Sequence, residues 1–312
     1  MLTVDSPPPM ALPTAVDGAE PPAPSALDAA ARVVRTRGAD GRAIVWRAWG
    51  DAAAREAIVL MHGSYGSWTH WLAVIAPLAA RYRVVVPDLP GFGDSDDAPD
   101  DRSPMAFARV LADGLDAARA ELLGRAALVS VGGFSLGAVY AGWLARELEA
   151  GRVRGARLSR LVLVSPGGLG NRPQLPPPLA RVRPEMDEAT RFALHRENLA
   201  VVMFGDPARI DPVAVRVQDA NVARARFRGR FTTRSDFLLE VLPQVRAPVL
   251  ALWGDRDAFD ADVRLRVASL LAARPDATTA IVAGAGHWLP YEAPAAFLRH
   301  LSDWMETRNK SI

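Results

Sequence analysis

Between residues 57 and 283 the chain alternates short, nearly continuous apolar runs with longer segments whose apolar residues recur every three or four positions. The runs are AIVLM at 57–61, RVVVP at 83–87, AALVSV at 126–131, LVLVS at 161–165, VLALW at 249–253 and TTAIVA at 278–283. Runs without polar alternation predict strands covered on both faces, as in a parallel sheet. Ahead of them, RVVRTR (32–37) and AIVWRA (43–48) predict strands joined by the turn Gly38-Ala39-Asp40-Gly41. The clearest helix follows Ser135, where Leu136, Val139, Tyr140, Trp143 and Leu144 make one apolar stripe and Gly151 supplies a stop. This rhythm predicts an α/β fold, a doubly wound and mostly parallel sheet.

The rhythm breaks once. Residues 168–238 contain no strand pattern; they begin with the proline cluster NRPQLPPPLARVRP and continue with two helices. The first is expected over Asp187–Phe204, the second from an Asp211 N-cap with Pro212 in its first turn. An insertion of this kind between core strands predicts a helical lid over the strand ends. The α/β core then comprises residues 30–167 and 239–312. Residues 1–29 carry seven prolines among small residues and predict a disordered or extended leader.

Composition narrows the function classes. Half of the 312 residues are hydrophobic and the formal charge is only +2, too little to argue for nucleic acid as a partner. No apolar run is long enough for a membrane span, and the first residues do not read as a signal peptide. With no cysteine, disulfides, thiolate metal sites and a cysteine nucleophile are excluded. The expectation is a cytoplasmic protein acting on a small molecule, without metal or cofactor. Oligomeric state is not readable from these patterns.

Four segments carry the chemistry. Gly133-Phe134-Ser135-Leu136-Gly137 lies between a predicted strand and a predicted helix, where two glycines let the chain turn sharply enough to expose the serine Oγ. Met61-His62-Gly63-Ser64-Tyr65-Gly66 ends another strand; its small residues suit a loop that brings a backbone N–H to a developing oxyanion. The expected donors are the N–H groups of Ser64 and Leu136, with His62 in a structural role. A serine needs a base, and the base an orienting acid. Gly286-His287-Trp288 follows the last strand and Trp253-Gly254-Asp255-Arg256-Asp257 the one before it, so His287 and Asp257 reach the same sheet edge as Ser135. Asp255 is the alternative acid, with a turn or Arg256 as its competing role.

These segments, with Asp88-Leu89-Pro90-Gly91-Phe92-Gly93-Asp94-Ser95, resemble the α/β-hydrolase superfamily over about residues 30–308. The resemblance implies a triad of Ser135, Asp257 and His287, and an architectural role for Asp88–Ser95. Serine at the nucleophile position departs from the haloalkane dehalogenases and epoxide hydrolases of this fold, which use aspartate. Arg196-Glu197-Asn198, Phe204-Gly205-Asp206-Pro207 and Trp288 resemble the meta-cleavage-product (C–C) hydrolases. Phe134 and Ser64-Tyr65-Gly66 depart from that group, and Gln218 falls where its lid arginine is expected. Phe134, Tyr65, Trp288 and Gln218 are thus the candidate substrate-pocket residues. The lid also carries Arg224, Arg226, Arg228, Arg230 and Arg234, either a carboxylate clamp or a solvated face paired with residues such as Asp219 and Asp236. The preferred reading is a carboxylic-ester hydrolase for a small or medium apolar ester, with C–C hydrolysis the close alternative. A binding protein that has lost catalysis is more remote, because all three triad residues are kept.

Overall fold

The computed structural model describes residues 21–38, 40–170, 178–260 and 262–309. Among them the strands are β1 (Arg32–Arg37), β2 (Ala43–Trp49), β3 (Glu56–Met61), β4 (Arg83–Pro87), β5 (Leu128–Phe134), β6 (Arg157–Val164), β7 (Val249–Gly254) and β8 (Thr278–Val282). They form an eight-stranded sheet in the order β1-β2-β4-β3-β5-β6-β7-β8. The pairs β1–β2 and β2–β4 are antiparallel and the rest parallel.

The helices are α1 (Pro24–Ala29), α2 (Leu72–Ala79), α3 (Pro104–Ala117), α4 (Arg119–Leu122) and α5 (Leu136–Glu149). Between β6 and β7 come α6 (Glu188–Val202), α7 (Pro212–Ala223), α8 (Arg230–Arg234) and α9 (Phe237–Val241). The chain closes with α10 (Val263–Ala273), α11 (Leu289–Glu292) and α12 (Pro294–Asn309). None of the described helices is long and apolar enough to cross a membrane.

The continuous apolar runs have the expected cause, since strand periodicity sends successive side chains to opposite faces. Val59, Met61, Val131, Leu163 and Trp253 pack with Phe107 and Leu111 of α3 and Tyr140 and Leu144 of α5. Ile58, Leu60, Val162, Val164 and Leu252 pack on the other face with Leu72 and Ile75 of α2 and Phe297 and Leu301 of α12. In this strand order the chain leaves β3 for β4 on one side, while β5 lies on the other. The crevice at the carboxyl ends of β3 and β5 is where such sheets bind ligands.

Three expectations are corrected. β5 extends to Phe134 rather than stopping at 131, because Gly132 and Gly133 pair with Leu60 and Met61 and with Val162 and Leu163. Glycine gives no apolar signal, yet a Cβ on Gly132 would lie 2.7 Å from Leu60 Cδ2. Second, the leader expectation over 1–29 fails at its end. In α1, Leu27 is 2% exposed, its carbonyl accepts from Trp49 Nε1 at 2.8 Å, and Asp28 pairs with Arg47 at 2.5 Å. Residues 1–20 lie outside the described residues. Third, α9 straddles the expected boundary at 238. Leu238 and Val241 are fully buried and reach α5, where a Cβ on Gly142 would meet both within 2.9 Å.

Candidate active site

β5 runs into α5 through a corner at Ser135, whose φ of 54° and ψ of −112° lie where a non-glycine residue is strained. Both flanking glycines are needed for the approach of neighbouring backbone. A Cβ on Gly133 would meet Gly137 O at 2.2 Å, and one on Gly137 would meet Met61 O at 2.3 Å. The corner therefore locks β5, the start of α5 and the end of β3 together and leaves the Ser135 side chain facing out of the turn.

His287 follows β8 and Asp257 follows β7. Their side chains meet at 2.7 Å between Nδ1 and Oδ2, and His287 Nε2 lies 3.0 Å from Ser135 Oγ. The carboxylate fixes the proton on Nδ1, so Nε2 is left to accept from the serine hydroxyl. Asp257 and His287 are each 3% exposed, which shields the pair from water. Asp257 Oδ1 also accepts from Phe259 N at 3.0 Å, holding the carboxylate's orientation. The Phe134 and Phe259 rings lie 5.0 and 4.5 Å from the imidazole. Asp255 is used elsewhere: its Oδ1 accepts from Gly284 N at 2.7 Å and ties the turn after β8.

The loop after β3 passes beside this corner. A Cβ on Gly63 would lie 3.0 Å from the Phe134 ring and 3.2 Å from Ser135 Cβ. The Gly63 N–H donates to His70 Nδ1 at 3.2 Å, which leaves the next N–H, that of Ser64, as the loop's candidate donor. Leu136 is the first residue of α5, so its N–H has no intrahelical acceptor. His62 is structural. Leu89 N–H donates to its Nε2 at 2.9 Å, so Nδ1 carries the proton and donates to Gly63 O at 2.8 Å. Complete burial lowers its pKa to about 4.

No motif in the sequence marks His70, whose place in a helical segment suggests only a core or surface position. It lies in a 3-10 turn capped by Ser67, is 1% exposed, and sits 5.4 Å from the Phe134 ring and 5.0 Å from the Trp288 ring. Burial, reinforced by His62 and His287, holds it well below the ordinary histidine range, so it is neutral. With Nδ1 accepting, its proton is on Nε2.

The four pocket candidates separate. Trp288 has no exposed surface; its ring stacks on Tyr291 at 4.2 Å and its Nε1 donates to His70 O at 2.8 Å. Phe134 is likewise buried, because strand alternation turns it inward toward His70 and His287. Tyr65 stands at the loop tip with φ 53° and 42% exposure. Gln218, on α7, has a buried Oε1 with no hydrogen-bond partner.

The arginine partners also differ from expectation. Arg224 pairs with Asp94 and Arg226 with Asp97, each at 2.8 Å, on the loop after β4. Asp219 is taken by Arg191 at 2.9 Å.

A mostly parallel sheet that brings a strained serine to a buried histidine–aspartate pair is the arrangement of a class of α/β enzymes. The chain belongs to the alpha/beta hydrolase family, whose model matches residues 58–300, and it is a hydrolase. It is 29% identical to a 2-hydroxy-6-oxo-6-phenylhexa-2,4-dienoate hydrolase of Burkholderia cepacia, over 82% of this chain and 89% of that protein. It is 30% identical to a 2-hydroxy-6-oxononadienedioate/2-hydroxy-6-oxononatrienedioate hydrolase of Comamonas testosteroni, with the same coverage of both chains. Among solved structures it superposes on the esterase RhEst1 from Rhodococcus sp. ECU1013 with a TM-score of 0.66 at 22% identity, covering 88% of this chain and 98% of that one.

Proposed function

We propose that the protein is a serine hydrolase in which Ser135, His287 and Asp257 form the catalytic triad, and that its substrates are small or medium carboxylic esters with apolar groups. The observation that carries the triad is the His287 imidazole bridging Ser135 Oγ at 3.0 Å and Asp257 Oδ2 at 2.7 Å. In the proposed reaction Ser135 Oγ attacks the ester carbonyl carbon while His287 Nε2 takes the hydroxyl proton. The oxyanion is received by the Ser64 and Leu136 N–H groups. His287 returns the proton to the departing alcohol as the C–O bond breaks, and water then hydrolyses the acyl-enzyme by the same route. The helices α6, α7 and α8 act as a lid over the strand ends.

The ester reading is supported by what surrounds the imidazole and by the partners of two of the lid arginines. Phe134 and Phe259 flank His287, Arg224 and Arg226 are engaged by Asp94 and Asp97, and Gln218 is neutral. A dienoate would bring a carboxylate that calls for a cation. C–C bond hydrolysis is the second reading, favoured by the names of the two relatives at 29% and 30% identity. Assays on p-nitrophenyl esters beside a 6-oxo-dienoate separate the two. Ser135→Ala should lower kcat by ~10⁵–10⁶ on whichever substrate turns over, with the circular dichroism spectrum unchanged. A Ser135→Ala protein retaining a tenth of wild-type kcat would end the assignment.

A further inference from the structure

A buried carboxylate bridges the loop that carries His287 and the chain leaving α6. Glu292, 3% exposed at the end of α11, accepts from Gly286 N at 2.6 Å, Gly205 N at 3.0 Å and Asp206 N at 2.8 Å. Gly286 immediately precedes His287, whereas Gly205 and Asp206 open the link from α6 to α7. The two glycines stand against each other: a Cβ on Gly205 would lie 2.7 Å from Gly286 N, and one on Gly286 2.3 Å from Gly205 N. Further bonds run beside this junction. Trp288 N donates to Met203 O at 2.8 Å, and the Tyr291 hydroxyl donates to Asp211, the N-cap of α7, at 3.0 Å. Residues 203–211 and 286–292 are thus joined at both ends and in the middle.

The Glu292 carboxylate meets three converging N–H donors with two oxygens, whereas an amide offers one acceptor oxygen and turns N–H bonds of its own toward the donors. Glu292 touches no reacting atom of the proposed hydrolysis. We propose that Glu292 is a positioning residue that couples the α6–α7 segment to the His287 loop, so that the seating of the lid sets the aim of the imidazole. This rests on the reading of His287 as the general base. The coupling has physical weight because a displacement of about 1 Å in a catalytic group costs on the order of 100-fold in rate.

The test is Glu292→Gln, which keeps the shape and removes the acceptor pattern. Three readouts are taken: thermal melting, kcat and KM on a p-nitrophenyl ester, and the downfield proton resonance of His287 Nδ1–H, assigned by its loss in His287→Ala. The expected result is a folded protein with kcat down 10- to 100-fold, KM within threefold, and a broadened or shifted resonance. A folded variant within twofold of wild-type kcat, with the resonance unchanged, would reduce Glu292 to a fold brace. A raised KM at unchanged kcat would overturn the proposal equally. Should Glu292→Gln fail to fold, Gly205→Ala wedges the same junction with the carboxylate intact and is held to the same criteria. The resonance does not require turnover. A wild-type protein inert toward esters, with the resonance still shifted or broadened in Glu292→Gln, would refute the ester reading and leave the coupling standing.

Discussion

At Ser135 a residue with φ 54° is held in place by two glycines whose missing side chains make room for Gly137 O and Met61 O. Strain of this kind costs on the order of 1–3 kcal/mol and persists only where the surroundings over-determine it. The two aspartates after β7 show the same local determination. Asp257 meets His287, whereas Asp255 holds Gly284 N, so the variants should differ sharply. Asp257→Asn should lower kcat by roughly 10⁴ through loss of the imidazole's tautomer and support, and Asp255→Asn by less than about tenfold. Steady-state kinetics of both variants decides it, and exchanged phenotypes would make Asp255 the acid. His62 yields a stability prediction. Its pKa falls from 6.5 to about 4 on folding because burial disfavours the charged ring. A lowered folded pKa gives stability that is complete above pH 6.5 and is lost as pH falls toward 4. Between pH 7.5 and 5.0 this amounts to roughly 2 kcal/mol for one histidine. Urea unfolding at the two pH values measures it, and His62→Asn should lessen the pH dependence by about that amount; an unchanged difference would refute the account.

Among the elements, α1 changes the picture most. Its six residues are too short to be stable alone, so its order comes from what it docks against. Leu27 enters the cluster with Trp49, Leu72 and Leu78, and Asp28 reaches Arg47, which also pairs with Asp88 and Asp94. Leu27→Ala should cost ~2–4 kcal/mol of unfolding free energy, read from the urea midpoint at constant m-value. A cost below about 0.5 kcal/mol, the size of an ordinary surface change, would mean that α1 is not part of the core. The proline-rich composition pointed to disorder here, since a docked hexamer has no periodicity long enough to register. By contrast α5, α6 and α7 announced themselves. The caps of α6 and α7, Asp187 and Asp211, accept from Thr190 N and Ala214 N, local bonds that adjoining residue types already imply.

On the scale of the whole molecule, polar side chains help to fasten the helices between β6 and β7 to the core. Arg224 and Arg226 bond to Asp94 and Asp97, Asn221 shares a buried network with Ser67 and Thr69, and Glu292 gathers the α6–α7 link. The arginine pairs are partly exposed, so each contributes only ~0.2–1 kcal/mol and weakens with salt. Replacing Arg224, Arg226 and Arg228 singly by Gln should therefore leave kcat/KM for a neutral ester within about threefold, an energy near that of one exposed pair. The same variants assayed on a dienoate test the competing chemistry. A loss of 100-fold or more confined to the dienoate, about 2.7 kcal/mol, would reverse the preference and favour C–C hydrolysis.

What sequence alone determined were features whose cause is local. Strand runs, helix stripes and caps follow from neighbouring side chains, and the serine corner follows from two glycines at fixed offsets between a strand and a helix. The sheet edge shared by Ser135, Asp257 and His287 followed as well, because each residue comes directly after a strand and parallel strands end on one side. The tertiary structure decided whatever depends on residues far apart in the chain. His70 supports the Gly63 loop only because that loop doubles back on it, and the Trp288 indole reaches His70 O only because the chain after β8 packs against the 3-10 turn. Glu292 meets Gly205 only through the path of the α6–α7 link, and the arginine partners lie about 130 positions away. Apolar periodicity records which face of an element is buried. It does not record which buried polar group will find which partner, since that is set by the directions of side chains in loops once the elements have packed.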